Sequence, residues 1–198
     1  MQGIYDFPPP LRAAADAALL PGEHAAWAGR PSPMRAFWRV TPIWLFAAPW
    51  SAISFLFFGS AVAALTGAAT IEGAEGPMAW VFLIFSLPFV AIGAGLLAAP
   101  VFAMRDAMAS GFIVTDRRVM KISAQGARTV KALAASALRG AQSRIGADGR
   151  GSVKALGPVG RDSDGDKVTD DIEMTGVADA RGAEAAIWRL IGERGNNP

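Results

Sequence analysis

Pro42–Met104 reads PIWLFAAPWSAISFLFFGSAVAALTGAATIEGAEGPMAWVFLIFSLPFVAIGAGLLAAPVFAM, and the reading of this stretch decides the fold. Two runs within it, Pro42–Ala69 and Pro77–Met104, contain no Lys, Arg, Asp, Glu or His. A helix rising ~1.5 Å per residue needs about 20 apolar residues to cross a hydrocarbon core of ~30 Å. Each run exceeds that length. One Asp, Lys or Arg at mid-bilayer would cost about 2.5–3.5 kcal/mol, and neither run carries one. The stretch therefore predicts a two-helix transmembrane hairpin whose turn is the acidic segment Thr70–Gly76, with Glu72 and Glu75.

Pro49 and Pro88 remove backbone donors inside the runs, which predicts kinks and places the straighter spans at Trp50–Thr70 and Met78–Ala99, the second ended by Pro100. Trp38, Trp44, Trp50 and Trp80 lie near the ends, where an amphipathic ring suits the headgroup layer. Small residues recur at helical spacing, Gly59, Ala63 and Gly67 on the first run and Ala91, Gly95 and Ala99 on the second. Such ridges let helix backbones approach closely. They predict either packing of the two spans on each other or a seam for another protein's helix. The runs have no ionisable group to line an ion or proton path, which argues against transport.

Charge is unevenly placed around the hairpin. Arg30, Arg35 and Arg39 precede it, Arg105 follows it, and the turn is acidic. The positive-inside rule then predicts both termini in the cytoplasm. The N-terminus lacks a short basic leader running into an apolar core and a cleavage site, so the first span reads as a retained anchor. The chain has no cysteine, which excludes disulfides, thiolate metal sites and thiol nucleophiles. Net charge is +2, and the basic and acidic residues after Met104 are well mixed, an ordinary solvated surface with little attraction for nucleic acid.

Outside the hairpin the pattern changes. Leu11–Leu20 reads as a short Ala-rich helix stopped by Pro21-Gly22, and Glu23–Pro31 as a strand and turn. After Arg105, period-two segments predict strands at Gly111–Thr115, Val119–Ser123, Arg128–Leu133, Ala141–Ile145, Val153–Leu156 and Asp171–Val177. Ala124–Ala127 and the Asp148-Gly149 pair mark hairpin turns. Asp179 can cap a last helix with Ala183, Ile187, Leu190 and Ile191 on one face. The chain divides into an N-terminal segment 1–41, the hairpin 42–104 and a domain 105–198, onto which the first segment packs.

This order resembles the bacterial pleckstrin-homology-like domains of small two-span membrane proteins. Leu20-Pro21-Gly22-Glu23 with Trp27-Ala28-Gly29-Arg30-Pro31 is similar to that family's opening segment, Phe112–Met120 with its Thr115-Asp116-Arg117-Arg118 to the strand pair after the hairpin, and Met174–Asp179 to the closing segment. Phe112 stands where the family often has an aromatic. The resemblance implies an α+β membrane protein, with a partly open, bent antiparallel β-barrel in the cytoplasm capped by the C-terminal helix. It carries no catalytic residues and places the chain in the bacterial inner membrane.

Two constellations offer chemistry. Arg117, Arg118 and Lys121 could contact a lipid headgroup or phosphate, or be solvated cations beside a turn in which Asp116 accepts backbone bonds. Asp162–Glu173 partly matches a calcium loop, with Asp162, Asp164, Asp166 and Glu173 at ligand positions 1, 3, 5 and 12. Lys167 occupies the position that should be Gly, Thr169 weakens the usual apolar position 8, and the favoured reading is a polar loop before the last strand. His24 is the one histidine, no segment carries the Gly-rich, Lys-containing phosphate loop, and no carboxylate pair forms an acid/base set. The expectation is a non-catalytic protein without cofactor, small-molecule substrate or nucleic acid. It would present its cytoplasmic domain to a protein partner or to further copies of itself, for assembly, scaffolding or regulation of a membrane complex. The alternative is a lipid-headgroup or Ca2+ sensor.

Overall fold

A computed structural model describes residues 3–70, 72, 76–124, 130–161 and 163–195. It divides into two compact units, one built from Met1–Ala36 together with Met104–Pro198 and the other from Phe37–Ala103.

In the first unit, α1 (Pro9–Ala18) precedes β1 (Ala25–Gly29), and α2 (Pro33–Val40) leaves it. The chain returns with β2 (Ser110–Thr115), β3 (Arg118–Ser123), β4 (Val130–Ala134), β5 (Gly140–Ile145), β6 (Gly151–Leu156), β7 (Val159–Arg161), β8 (Lys167–Thr169) and β9 (Ile172–Val177), and ends in α5 (Ala180–Gly195). Among the described residues the strands form three antiparallel sheets, ordered β1-β2-β3-β4, β5-β6-β9 and β7-β8, and no closed barrel.

The four-stranded sheet is covered on both faces. Trp27, Phe112, Val114 and Val119 point into a core shared with Val153 and Ala155 of β6, Ile172 and Met174 of β9, and Ala183, Ile187 and Leu190 of α5. Ala28, Ile113, Met120 and Ile122 point the other way, onto Phe7, Leu11 and Ala15. Successive strand residues alternate faces, so β2 is buried at every position because α1 covers what would be its wet face. Gly111 fits under that cover, since a Cβ there would lie 3.1 Å from the Phe7 ring and 3.2 Å from Leu11. Asp179 caps α5 by accepting the Gly182 N–H at 2.8 Å.

The β7–β8 hairpin has no counterpart in the sequence reading, which leaves 157–170 as loop. All its strand residues are exposed. Such an isolated pair is marginal in water, and Asp171 ties down its base. This carboxylate accepts bonds from the Gly157 N–H at 2.9 Å, the Thr169 hydroxyl at 2.7 Å and Lys154 Nζ at 2.7 Å. The Ala124–Ala127 turn falls mostly on residues outside those described.

The second unit holds α3 (Trp44–Leu65) and most of α4 (Pro77–Ala109). The helical stretches Pro33–Leu65 and Pro77–Ala109 are each long and apolar enough to cross a membrane. Only 22% and 11% of their most apolar windows are buried, where the central helix of a soluble domain would be mostly enclosed. The expected span limits need correction. The first helix already runs at Trp44 and stops at Leu65, and Pro100 does not end the second, which continues through Pro88 and Pro100 to Ala109. Proline persists inside such helices where neighbours satisfy the freed backbone groups.

Small residues at seven-residue intervals make the contact between the two helices. Ala47, Ser54 and Ala61 are buried on α3, and Ala79, Ser86, Gly93 and Pro100 on α4. A seven-residue stripe on both partners is the pattern of left-handed, shallow-angle packing. Closest approach is at Gly93, where a Cβ would lie 2.7 Å from Ser51 Oγ and 3.3 Å from Ser51 Cα. Trp44 Nε1 and Trp50 Nε1 add cross-helix bonds, donating to the carbonyls of Leu97 (3.1 Å) and Phe89 (3.3 Å).

Candidate functional site

Among the described residues of the first unit, Glu23 is a buried carboxylate. Gly22 adopts φ +73°, a left-handed turn that glycine makes without strain. The turn closes with the Glu23 N–H donating to the Leu20 carbonyl and the Leu20 N–H donating to Glu23 Oε2, both near 2.8–2.9 Å. The Glu23 carboxylate is thereby fixed and fully enclosed. Arg118 meets it two-pronged, Nε to Oε1 at 2.9 Å and Nη2 to Oε2 at 2.8 Å, and Nη2 also donates to the Ala18 carbonyl. Thr115 completes the set. Its hydroxyl donates to Glu23 Oε1 at 2.7 Å and accepts the N–H groups of Arg117 and Arg118. Asp116 accepts the His24 N–H at 3.0 Å, while its own N–H donates to the His24 carbonyl. The segments before and after the helical pair are thus locked by an ion pair spanning 95 positions of sequence.

Burial alone would raise the Glu23 pKa, but the bonds from Arg118, Leu20 and Thr115 outweigh it and hold the pKa near 2, from 4.5. Asp171 behaves alike. Burial would raise it, yet Lys154, the Gly157 N–H and Thr169 hold it at about 2, from 3.8. A depressed carboxylate pKa contributes stability that is complete above the unfolded value and lost as pH falls toward the folded one. Acid unfolding of the detergent-solubilised protein is therefore expected to set in between pH 4.5 and 2. The variant Glu23→Gln/Asp171→Asn should start less stable at neutral pH and lose less on acidification. A pH slope equal to that of the parent would show that these two carboxylates do not drive it.

The sequence-derived site residues fall as follows. Arg118 is committed to Glu23, Arg117 lies exposed at the rim, and Lys121 stands 3.9 Å from Asp106. Asp164 and Asp166 lie in the exposed loop between β7 and β8, and Glu173 on β9 faces Lys154 across the ladder. Asp162 lies outside the described residues, among which no three carboxylates or imidazoles gather as a metal site. A Cβ on Gly59 or Gly95, or on Gly67 in the turn past the end of α3, would meet nothing within 4 Å. Ala91 is exposed, and Ala63 and Ala99 are half-buried. The interhelical contact falls instead on the stripes through Ser51, Ser54, Ser86 and Gly93.

Among the described residues, each unit also carries a concave feature. Between α3 and α4 lies a cleft of about 340 Å³ lined by aromatic rings, among them Trp50, Phe57, Phe82, Phe85 and Phe89. Its two hydroxyls, Ser54 and Ser86, bond carbonyls of their own helices. In the first unit a slot of about 470 Å³ runs beside β1, with Ile4, Tyr5, Asp16 and Leu19 also in its lining. Glu23, which the sequence reading leaves without a chemical role, is among its lining residues. The available signal was the placing of Glu23 and Arg118 in the two motifs that flank the apolar runs.

Comparison with family models, curated proteins and solved structures finds no match to this chain.

Proposed function

We propose that this chain is a non-catalytic protein of the bacterial inner membrane, with a hairpin of α3 and α4 anchoring a cytoplasmic, pleckstrin-homology-like domain that engages a protein partner. The observation that carries the reading is the discontinuous unit itself. Residues on both sides of the helical pair make one core and share the Glu23–Arg118 lock. A chain that crosses a bilayer twice can build such a unit only if both flanks stay on one face. Arg30, Arg35, Arg39 and Arg105 near the helix ends support the cytoplasm as that face under the positive-inside rule. The β-strand order closed by a C-terminal helix is compatible with the pleckstrin-homology-like resemblance, and the work assigned to the domain is assembly, scaffolding or regulation of a membrane complex.

The sensor alternative has less to stand on. Of its three cations, Arg118 is spent on Glu23, which leaves Arg117 and Lys121 for a headgroup.

Purification of the tagged chain from its native membrane in mild detergent, with mass spectrometry and native sizing, tests the reading. A single stoichiometric complex is expected, and it should persist after a high-salt wash. Recovery alone with tightly held anionic lipid would transfer the function to the sensor.

A further inference from the structure

β5 is the outer strand of the β5-β6-β9 sheet. It pairs with β6 in unbroken register from Gly140↔Leu156 to Ile145↔Gly151, and among the described residues no strand adjoins its other side. Just past the strand, the Gly146 N–H donates to the Arg150 carbonyl at 2.8 Å, so 146 and 150 form a hydrogen-bonded pair. Antiparallel pairing alternates. The backbone groups of Arg144 and Gln142 therefore turn toward β6, and those of Ile145, Ser143 and Ala141 turn outward. Among the described residues, no hydrogen bond outside the ladder reaches 140–145.

Exposure agrees with this geometry, since Gln142, Ser143 and Arg144 are exposed in succession. Ser143 shares a face with Ala141 and Ile145, which pack on the core, so the cover over that face stops short of Ser143. Proteins blunt open edges with proline, bulges or charges. β5 has no proline and no bulge, and its one charge is Arg144.

α5 flanks the edge. At one end the Ala180 N–H donates to the Gly149 carbonyl at 3.1 Å, and at the other a Cβ on Gly140 would lie 3.8 Å from the Trp188 ring. The helix thus runs beside the whole strand, a length of about 20 Å for six residues at ~3.3 Å. Trp188 is nevertheless 49% exposed, an aromatic surface beside open backbone. Glu184 lies one turn earlier on the same side of α5, half-buried and without a hydrogen bond or ion pair among the described residues. On the opposite face of the sheet Lys154 is held by Asp171, while Arg144 has no ion pair among the described residues.

We infer that the outward edge of β5 docks an extended peptide segment of a protein partner as a further strand. Residues of that segment facing α5 are apolar and rest against Trp188, where Glu184 repels an acidic side chain. An Asp or Glu on its other face meets Arg144. This rests on the partner-binding reading above and specifies its surface. Backbone pairing supplies affinity in this mode, and alternate side chains supply specificity.

The test uses the full chain in lipid nanodiscs, screened against a displayed library of random short peptides. Enriched peptides are expected to alternate apolar residues with an acidic one. They should slow hydrogen exchange at the amides of Ala141, Ser143 and Ile145 and leave Gln142 and Arg144, already bonded to β6, unchanged. N-methylation of every second peptide residue should weaken binding by about tenfold in one phase, the value of one or two backbone hydrogen bonds, and be tolerated in the other. Arg144→Glu should weaken acidic peptides by about fivefold and favour basic ones. Peptides that protect other amides, or that tolerate N-methylation in both phases, would overturn the β5 site and leave the partner-binding reading standing. Full protection of Ala141, Ser143 and Ile145 in the free chain would mean that the edge is already covered, and protection rising with protein concentration alone would assign it to a second copy; either overturns the proposal. If no peptide is enriched, the β5 proposal fails, and co-purification decides the broader reading by itself.

Discussion

Glu23→Ala is expected to destabilise the discontinuous domain by about 3–5 kcal/mol, because it leaves the largely buried Arg118 guanidinium with only its bond to the Ala18 carbonyl. Domains of ordinary size are stable by about 5–15 kcal/mol, so this single change removes a large share. Arg118→Met should cost a similar amount, leaving a carboxylate enclosed with only Thr115 and the Leu20 N–H as donors. The pair as a whole is a different matter. Replacing both partners with apolar residues of similar volume removes the desolvation burden along with the attraction, and Glu23→Leu/Arg118→Met should recover much of the loss. Melting temperatures and protease susceptibility in detergent of the parent, Glu23→Leu, Arg118→Met and Glu23→Leu/Arg118→Met form the cycle that decides this. Single variants that melt with the parent would mean the lock is incidental to the fold.

A second large effect is expected from Gly93→Leu, set against Gly95→Leu two residues along the same helix. A side chain at Gly93 collides with Ser51 of the facing helix, backbone included, and relief demands that the helices part. Overpacking of this kind costs about 1–3 kcal/mol. Gly95 faces open space, and its substitution should change little. SDS titration followed by tryptophan fluorescence reports the difference, because Trp44 and Trp50 both bond across the helix pair. Equal sensitivity at the two positions would remove the seven-residue seam as the contact.

The helical pair was legible because absence of charge over a long run has few physical explanations. Which faces of the helices meet was not. Gly59, Ala63 and Gly67 form a spacing-of-four ridge that reads as an interface, but Ala79, Ser86, Gly93 and Pro100 repeat every seven residues, and the longer period is masked by similarly small neighbours. The strands of the first sheet were legible from apolar runs, and α5 from its face and cap. The β7–β8 hairpin was not, since Val159-Gly160-Arg161 and Lys167-Val168-Thr169 are short and polar and depend on Asp171 to hold their base. Thr115-Asp116-Arg117-Arg118 stood out in the sequence, but its partner Glu23 lies beyond the whole hairpin, and residue type alone cannot pair a carboxylate with one of two adjacent arginines.

That long separation has a consequence for how the protein is made. Synthesis proceeds at about 5–20 residues per second, so the 95 positions between Glu23 and Arg118 take roughly 5–20 s to emerge. Through that interval Leu11, Trp27 and Ala28 wait without the strand that will cover them, and a passing protease or chaperone finds them open. Closure requires Arg118 to arrive on the side where Glu23 was left. On the proposed membrane reading, a chain whose second helix failed to come back would not complete its domain, and the folded state would certify correct insertion.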